Sequence, residues 1–134
     1  MDKNIKQFVT KTLKQAGNIV KSGFQKSQVI KVKADHSNIV TETDVLSERS
    51  IIKAIQKRFP NDSIIAEESG FGDKNSDYVW IIDPIDGTSN FASGIPWCAV
   101  MMSRLQNWQS VATGIYLPFF NRKNSSKLCF GVTL

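Results

Sequence analysis

The chain has 134 residues and a formal net charge of +5, enough for one compact domain or part of a larger one, and its scattered basic residues favour a solvated face over nucleic-acid binding. Its longest apolar stretches, such as "PWCAVMM", are far shorter than the roughly 20 residues that cross a bilayer, and "MDKNIKQF" lacks the apolar region of a signal peptide. Cys98 and Cys129 have no metal-ligand spacing and indicate a reducing compartment, so the sequence predicts a soluble, cytoplasmic protein.

Two helices and one short strand are predicted for the first 60 residues. Apolar side chains recur at steps of three and four from about residue 3 to 26, which predicts a long amphipathic helix. The β-branched stretch "SNIVTETD" predicts a strand, with Asp44 as the N-cap of a second helix. That second helix, whose apolar stripe includes Leu46, is expected to stop at "FPND", where Pro60 forbids continuation.

The rest of the chain has the pattern of a sheet with one short helix. "SIIAEESG" and "YVWIIDP" are continuous apolar runs, typical of strands covered on both faces. "WCAVMMSRL" and "SVATGIYLP" flank the polar "QNWQ", which predicts two antiparallel strands joined by a short turn. The predicted order is helix, strand, helix, strand, strand, short helix, strand, strand, which is an α/β arrangement.

Acidic residues follow the apolar runs. Glu67 and Glu68 end one run, Asp83 and Asp86 end the next, and Asp44 lies further back. Strand ends converge in sheet-based sites, and carboxylates brought together repel one another unless a cation compensates. Oxygen ligands favour Mg²⁺ or Mn²⁺ over zinc. A turn or cap role is the competing interpretation, and it is favoured for Glu68 taken alone.

The residues between and after Asp83 and Asp86 set the conformation of the backbone there. Pro84 restricts the turn between them, so both carboxylates and the Ile85 carbonyl can be aimed at one point. Gly87 permits close backbone approach, and Thr88 opens a short helix whose N–H groups would face an anion. The stretch therefore predicts a site for a metal ion and a phosphate.

The stretches "AEESG", "WIIDPIDGTSNF" and "GIPWCAV" resemble the inositol monophosphatase family of Mg²⁺-dependent, Li⁺-sensitive sugar phosphatases. The family signature is an acid pair after one strand and D-P-[ILV]-D-G-T after the next. The resemblance runs from about residue 5 to 118, and "NIVTETD" falls at the family's T-x-x-D element. It implies the N-terminal α+β layer of an α-β-α-β-α sandwich, with the C-terminal α/β layer absent, and hydrolysis of inositol 1-phosphate by metal-activated water.

The resemblance implies metal ligands by position. Glu67, Asp83 and the carbonyl of Ile85 match the ligands of a first ion, and Asp83 and Asp86 match part of the shell of a second. Two or three Mg²⁺ ions are implied, with Mn²⁺ as an alternative. Lys33 and Glu68 are weaker candidates near an outer ion.

The resemblance also implies catalytic and phosphate-binding roles. Glu67 with Thr88 matches the pair that orients and activates the water, and Asp44 matches the carboxylate that supports Thr88. The phosphate-binding positions are Asp86, Gly87, Thr88 and Ser89.

The chain departs from the family after residue 118, where family members continue to roughly twice this length. The tail from 119 to 134 diverges from the family pattern, which suggests a truncated or frameshifted product of a longer phosphatase. Two alternatives stay open: a non-catalytic metal- or phosphate-binding half-domain, and a related phosphatase acting on fructose 1,6-bisphosphate or adenosine 3′,5′-bisphosphate. The expected partners are a small phosphorylated substrate and, as the family implies, a second copy of the chain, with no nucleic acid and no membrane.

Overall fold

The computed structural model describes residues 3–27, 29–32, 39–72, 75–120 and 127–131. Within these ranges the helices are α1 (Lys3–Gly23), α2 (Glu42–Arg58) and α3 (Thr88–Ala92). The strands are β1 (Val29–Val32), β2 (Ile39–Thr41), β3 (Ser63–Ala66), β4 (Gly70–Gly72), β5 (Tyr78–Asp86), β6 (Ala99–Gln106), β7 (Gln109–Leu117) and β8 (Lys127–Gly131). None of the helices in these ranges is both long and apolar enough to cross a bilayer.

The main sheet of the described chain has the strand order β4-β3-β5-β6-β7-β8. β3 and β5 run parallel, and the other neighbouring pairs in this sheet are antiparallel. β1 and β2 form a separate antiparallel ribbon. α1 packs on β6 and β7 and α2 packs on β5, so both helices cover one face of the sheet. The core between them contains Leu13, Ile51, Ile55, Trp80 and Met102.

Helix α1 confirms the first periodic element. Its apolar stripe is fully buried at Val9, Leu13, Ala16 and Val20. The helix ends at Gly23, slightly earlier than the spacing predicts. Gln25 follows with a positive φ of 61°, a left-handed conformation that a right-handed helix does not pass through.

Helix α2 begins at Glu42 with Thr41 as its N-cap, so the prediction that Asp44 caps this helix is wrong. The Asp44 N–H donates to the Thr41 hydroxyl, and the Thr41 N–H donates to the Asp44 carboxylate at 2.8 Å. This reciprocal capping box places Asp44 at the third helical position, with its side chain turned back toward the helix start. The helix ends at Arg58, before Pro60, as predicted.

The second face of the central strands is only partly covered within the described residues, which corrects in part the expectation of burial on both faces. Along β5, Trp80 and Ile82 are 0% and 2% exposed, whereas Ile81 between them is 40% exposed. Successive side chains of a strand point to opposite faces. The helices therefore cover the Trp80 face, and the opposite face is open at Ile81, although Val79 on that face is 8% exposed.

The β6–β7 hairpin confirms the predicted antiparallel pair. Asn107 and Trp108 have φ values of 49° and 63°, the positive values that a two-residue type I′ turn requires. Sequence patterning does not predict the short strands β1, β4 and β8. β8 lies in the tail after residue 118 and pairs with β7, where Cys129 is opposite Ile115.

Helix α1 touches the sheet so closely at Gly17 that a side chain has no room there. A Cβ built on Gly17 would overlap the ring of Tyr116, which is 3% exposed. Gly17→Ala should therefore destabilise the protein by about 2 kcal/mol through overpacking, although alanine is the better helix former by about 1 kcal/mol. Urea unfolding measures this effect. Asn18→Ala, at an exposed position one residue on, is the control and should be neutral or slightly stabilising; a gain in stability from Gly17→Ala would contradict the packing.

Candidate metal centre

Most of the predicted site residues lie around one cavity where the ends of β3 and β5 meet the start of α3. Its volume is about 240 Å³. The lining residues are Ile39, Glu67, Asp83, Ile85, Asp86, Gly87, Thr88, Ser89 and Asn90. The fold therefore brings the main metal and phosphate positions expected from the sequence to a single opening.

A one-residue bulge in β5 sets the direction of the two aspartates. Asp83 pairs with Met101 and Asp86 pairs with Ala99, with a shift in register between them. In a regular strand, residues three apart point to opposite faces. Here three residues of β5 lie opposite only two residues of β6. Asp83 and Asp86 are therefore paired with β6 residues that lie on the same face of the sheet.

The carboxyl of Asp83 is the most perturbed group in the cavity. Its Oδ1 is the one buried side-chain oxygen or nitrogen without a hydrogen-bond partner among the described residues. Burial, followed by the charge of Glu67, a hydrogen bond with the Glu67 carboxyl and the charge of Asp86, raises the pKa of Asp83 to about 7. The N–H of Ile85 opposes the shift only in part. A proton or a cation is needed to hold Glu67 and Asp83 side by side.

The oxygen atoms at this point fit a hard divalent cation. The described residues contain no group of three Asp, Glu, His or Cys side chains arranged as a complete metal cage. The available donors are instead mixed: the carboxylates of Glu67 and Asp83 and the backbone carbonyl of Ile85, all on the cavity wall. Mg²⁺ is held in this way by one or two carboxylates and keeps several waters. The unpartnered Oδ1 of Asp83 is the atom that such an ion would satisfy.

Thr88 is fixed at the cavity by two acceptors. Its hydroxyl lies 2.9 Å from Asp44 Oδ1 and 2.8 Å from the carbonyl oxygen of Ile85. Asp44 is 1% exposed and does not line the cavity. Burial raises the pKa of Asp44, against the opposing effect of hydrogen bonds from Thr41 and Thr88. The hydrogen bond connects Asp44 to the cavity through Thr88, and its supporting role in catalysis stays a prediction.

Gly87 makes the turn from β5 into α3. Its φ of 86° is in the left-handed region, which favours glycine. A Cβ at this position would also lie 3.0 Å from the carbonyl oxygen of Trp97. The backbone N–H groups that open α3 can therefore line the cavity without a side chain in front of Gly87.

Sequence reasoning missed two residues of α2 that hold the site loops. The Ser47 hydroxyl donates to the Pro84 carbonyl at 3.1 Å. The Glu48 carboxylate accepts the N–H groups of Glu68 and Ser69 at 2.8 and 2.9 Å. Ser47 and Glu48 are 0% and 3% exposed, and they lie on the same face of α2 as Asp44. Leu46, expected on the buried stripe, is 53% exposed instead.

The remaining candidates lie apart from the cavity wall or outside the described residues. Glu68 does not line the cavity, and its N–H is bound by Glu48. Lys33 falls in residues 33–38, outside the described ranges. Cys98 is buried, and burial raises the pKa of its thiol to about 12, which makes it a core residue with no nucleophilic character at neutral pH.

A comparison with protein families decides the membership of this chain. A sequence model of the inositol monophosphatase family matches residues 1–133. The chain belongs to the inositol monophosphatase family. The family match extends past residue 118, where the recognisable motifs end; the divergence of the tail stays a prediction.

Known members of the family have the same fold and a longer chain. The Nus factor SuhB of Pasteurella multocida is 36% identical over 110 residues, which are 81% of this chain and 41% of the relative. The fructose-1,6-bisphosphatase/inositol-1-monophosphatase of Thermotoga maritima is 33% identical over 114 residues, 85% of this chain and 44% of the relative. A solved Thermotoga maritima IMPase superimposes with a TM-score of 0.82 and 30% identity, covering 95% of this chain and 51% of that one. The chain spans less than half the length of these two curated relatives and has the mixed α+β fold of the corresponding half.

Proposed function

We propose that this chain provides the metal- and phosphate-binding half of a Mg²⁺-dependent phosphate monoesterase of the inositol monophosphatase type. The observation that supports it best is the pair Glu67 and Asp83, with an unpartnered buried oxygen on Asp83 and a pKa for Asp83 raised to about 7. Perturbed carboxyls in a cleft are typical of functional sites. Here the perturbation is relieved by a divalent cation.

The residues of the chain have separate tasks in this proposal. Glu67, Asp83 and the Ile85 carbonyl hold the first ion, and Asp83 with Asp86 holds part of a second. When bound, Mg²⁺ neutralises phosphoryl charge and lowers the pKa of water. Glu67 and the Thr88 hydroxyl orient the attacking water, and Asp44 keeps the hydroxyl in place.

Phosphate binding is assigned to the start of α3. Asp86 and Ser89 are exposed there, on either side of Gly87 and Thr88, and all four line the cavity. Backbone N–H groups at this turn would bind phosphate oxygens in a geometry that Gly87 permits. Hydrolysis then depends on positioning and charge, with no covalent role for a protein side chain.

Inositol 1-phosphate is the proposed substrate, with inhibition by Li⁺. Fructose 1,6-bisphosphate is the main alternative, because one relative carries both activities in its name; adenosine 3′,5′-bisphosphate is a further one. A cytoplasmic location fits the free thiols of Cys98 and Cys129.

A non-catalytic half-domain is the second candidate. The observation that favours it is the open sheet face, with Ile81 40% exposed, which is a surface that a partner chain or a second copy could cover. Both candidates predict Mg²⁺ binding at Glu67 and Asp83. Only the first predicts turnover.

Phosphate release from inositol 1-phosphate, measured with Mg²⁺ and with and without Li⁺, tests the proposal. We expect Mg²⁺-dependent release that Li⁺ inhibits, and at least a hundredfold loss in Glu67→Gln because the water loses its orienting carboxylate. Glu42→Gln, at an exposed position outside the cavity, is the matched control and should keep its rate. A folded chain that binds Mg²⁺ without turnover would support the half-domain instead.

A further inference from the structure

Basic residues that look scattered in the sequence gather on one side of the folded chain. α1 and α2 lie antiparallel, because Phe8 near the start of α1 packs on Phe59 just after α2, with ring centroids 5.0 Å apart. At the other end, Gly23 lies against Thr43. The first half of α1 is therefore beside the second half of α2.

Seven exposed cationic side chains from these two half-helices form a surface that we call the basic helix face. Its members are Lys3, Lys6, Lys11, Lys14, Lys53, Lys57 and Arg58. They carry a formal charge of +7, whereas the whole chain carries +5, so all other residues together carry −2. Seven of the seventeen Lys and Arg residues therefore lie on one face of the folded chain, although they are spread along the sequence.

Acidic side chains are kept away from this face. α1 contains no Asp or Glu, and the acids of α2 are confined to its first half, at Glu42, Asp44 and Glu48. Asp44 and Glu48 are also buried. The field of the seven cations is consequently not cancelled by neighbours on the same helices.

The basic helix face contains a groove between the two helices. The groove has a volume of about 710 Å³, and its cationic lining residues are Lys11, Lys53, Lys57 and Arg58. A neighbouring depression of about 640 Å³ along the outer side of α1 is lined by Lys3, Lys6 and Lys14 and shares Lys11. No Asp or Glu is among the described residues that line either of them.

We propose that the basic helix face binds the phosphodiester backbone of a double-stranded nucleic acid without reading its sequence. A ridge of backbone phosphates fits a cationic groove, and each neutralised phosphate releases counterions, which provides the affinity. From Lys3 to Lys14 the helix extends about 17 Å. That length matches about five phosphates along one strand of a duplex.

The surface fits a duplex better than a membrane or a single strand. Among the described residues, no large exposed apolar side chain lies on α1 or on residues 49–58, and helices that lie in a membrane interface need such side chains. Single-strand binders stack bases on exposed aromatic rings. Phe8 and Phe59 are instead partly buried and packed on Trp80.

This binding surface is separate from the candidate metal centre. Asp44, behind the cavity, and Lys57, on the basic helix face, are thirteen residues apart on α2, which is about 20 Å along the helix. A small phosphorylated substrate at the cavity does not require the groove. The inference therefore goes beyond the proposed phosphatase activity and does not depend on it.

Fluorescence anisotropy with labelled 20-base-pair duplexes, one of DNA and one of RNA, tests the inference between 25 and 200 mM KCl. We expect micromolar binding at low salt to both duplexes, because the phosphodiester is common to them, and a steep loss of affinity with salt. The variant Lys11→Gln/Lys53→Gln/Lys57→Gln should bind at least tenfold more weakly and show a shallower salt dependence, by about two to three in the log–log slope.

The matched control is Lys21→Gln/Lys26→Gln/Lys31→Gln, which removes the same charge from exposed positions in the last turn of α1, after it and on β1. It should change affinity by less than threefold. Equal weakening by both triple variants would overturn the inference, since net charge alone would then explain binding. It would also be overturned if the chain ignored both duplexes but bound phosphatidylserine vesicles through the same lysines. Circular dichroism of both variants checks that the exposed substitutions leave the fold intact.

Discussion

Asp83→Asn should stabilise the metal-free protein at pH 8 and at the same time remove its stabilisation by Mg²⁺. Asp83 has a pKa raised from 3.8 to about 7 by burial and by Glu67 and Asp86, so at pH 8 folding keeps a buried, ionised carboxylate beside two others. An amide of the same shape has no charge to desolvate and can donate to the Glu67 carboxylate. A three-unit pKa shift is equivalent to about 4 kcal/mol, and the gain should be smaller than this because Asp83 is only partly buried and solvent screens its charge.

The sign of the pH dependence follows from the same shift. Because the folded pKa exceeds the unfolded one, the contribution of Asp83 to stability is fully present below about pH 4 and is lost as pH rises through 7. Stability of the metal-free protein should therefore fall over this window, and Asp83→Asn should lack that part of the fall. Mg²⁺, which binds the ionised form, should stabilise the unaltered protein more at pH 8 than at pH 5.

Thermal and urea unfolding at pH 5 and pH 8, with and without Mg²⁺, measure both effects. Asp77→Asn provides the control, because Asp77 is an exposed carboxylate outside the cavity. It should leave stability and the response to Mg²⁺ unchanged. An Asp83→Asn protein that still gains stability from Mg²⁺ would show that the ion binds elsewhere.

Glu48→Ala should destabilise the protein by about 2–4 kcal/mol and weaken Mg²⁺ binding at least tenfold. Its carboxylate accepts the N–H groups of Glu68 and Ser69, and its removal leaves those donors without their charged acceptor. The turn they belong to presents Glu67 to the cavity. Loss of a group that orients a metal ligand typically costs 10–100-fold in metal affinity.

Mg²⁺ titration well below the unfolding temperature separates loss of affinity from loss of fold. Glu48→Gln keeps the shape but offers one acceptor oxygen in place of two, so its effect should be intermediate. Glu42→Ala, on the exposed side of the same helix, should have little effect. Hydrogen exchange should show faster exchange of the Glu68 and Ser69 amides in Glu48→Ala; unchanged protection and unchanged metal affinity would contradict this account.

Local patterns were sufficient for the elements that carry the site. The apolar runs before Glu67 and Asp83 predicted β3 and β5, and Pro84 and Gly87 predicted an aimed corner after them. Such features can be predicted because strand burial and turn conformation depend on consecutive residues of the sequence.

Long-range contacts cannot be predicted from local patterns in the same way. The apolar pattern predicts that Leu46 is buried, but it is exposed. Ser47 and Glu48 are buried instead, because their hydrogen-bond partners come from distant parts of the chain: the Pro84 carbonyl and the turn after β3. Polar residues three and four positions after Asp44 on a helix were the available signal. The same limit hid the basic helix face, because only the antiparallel pairing of α1 and α2 brings Lys11 near Lys53.

The bulge between Asp83 and Asp86 makes the relative direction of the two carboxylates depend on the one extra residue between them. Side-chain substitutions at Pro84 or Ile85 would alter packing, but if the same residues paired with β6 without the extra one, Asp86 would lie opposite Cys98 and point to the face opposite Asp83. The carboxylates would then be held apart by geometry, with every acid still present in the sequence. The site therefore depends on the register of the two strands as much as on the identity of its acidic residues.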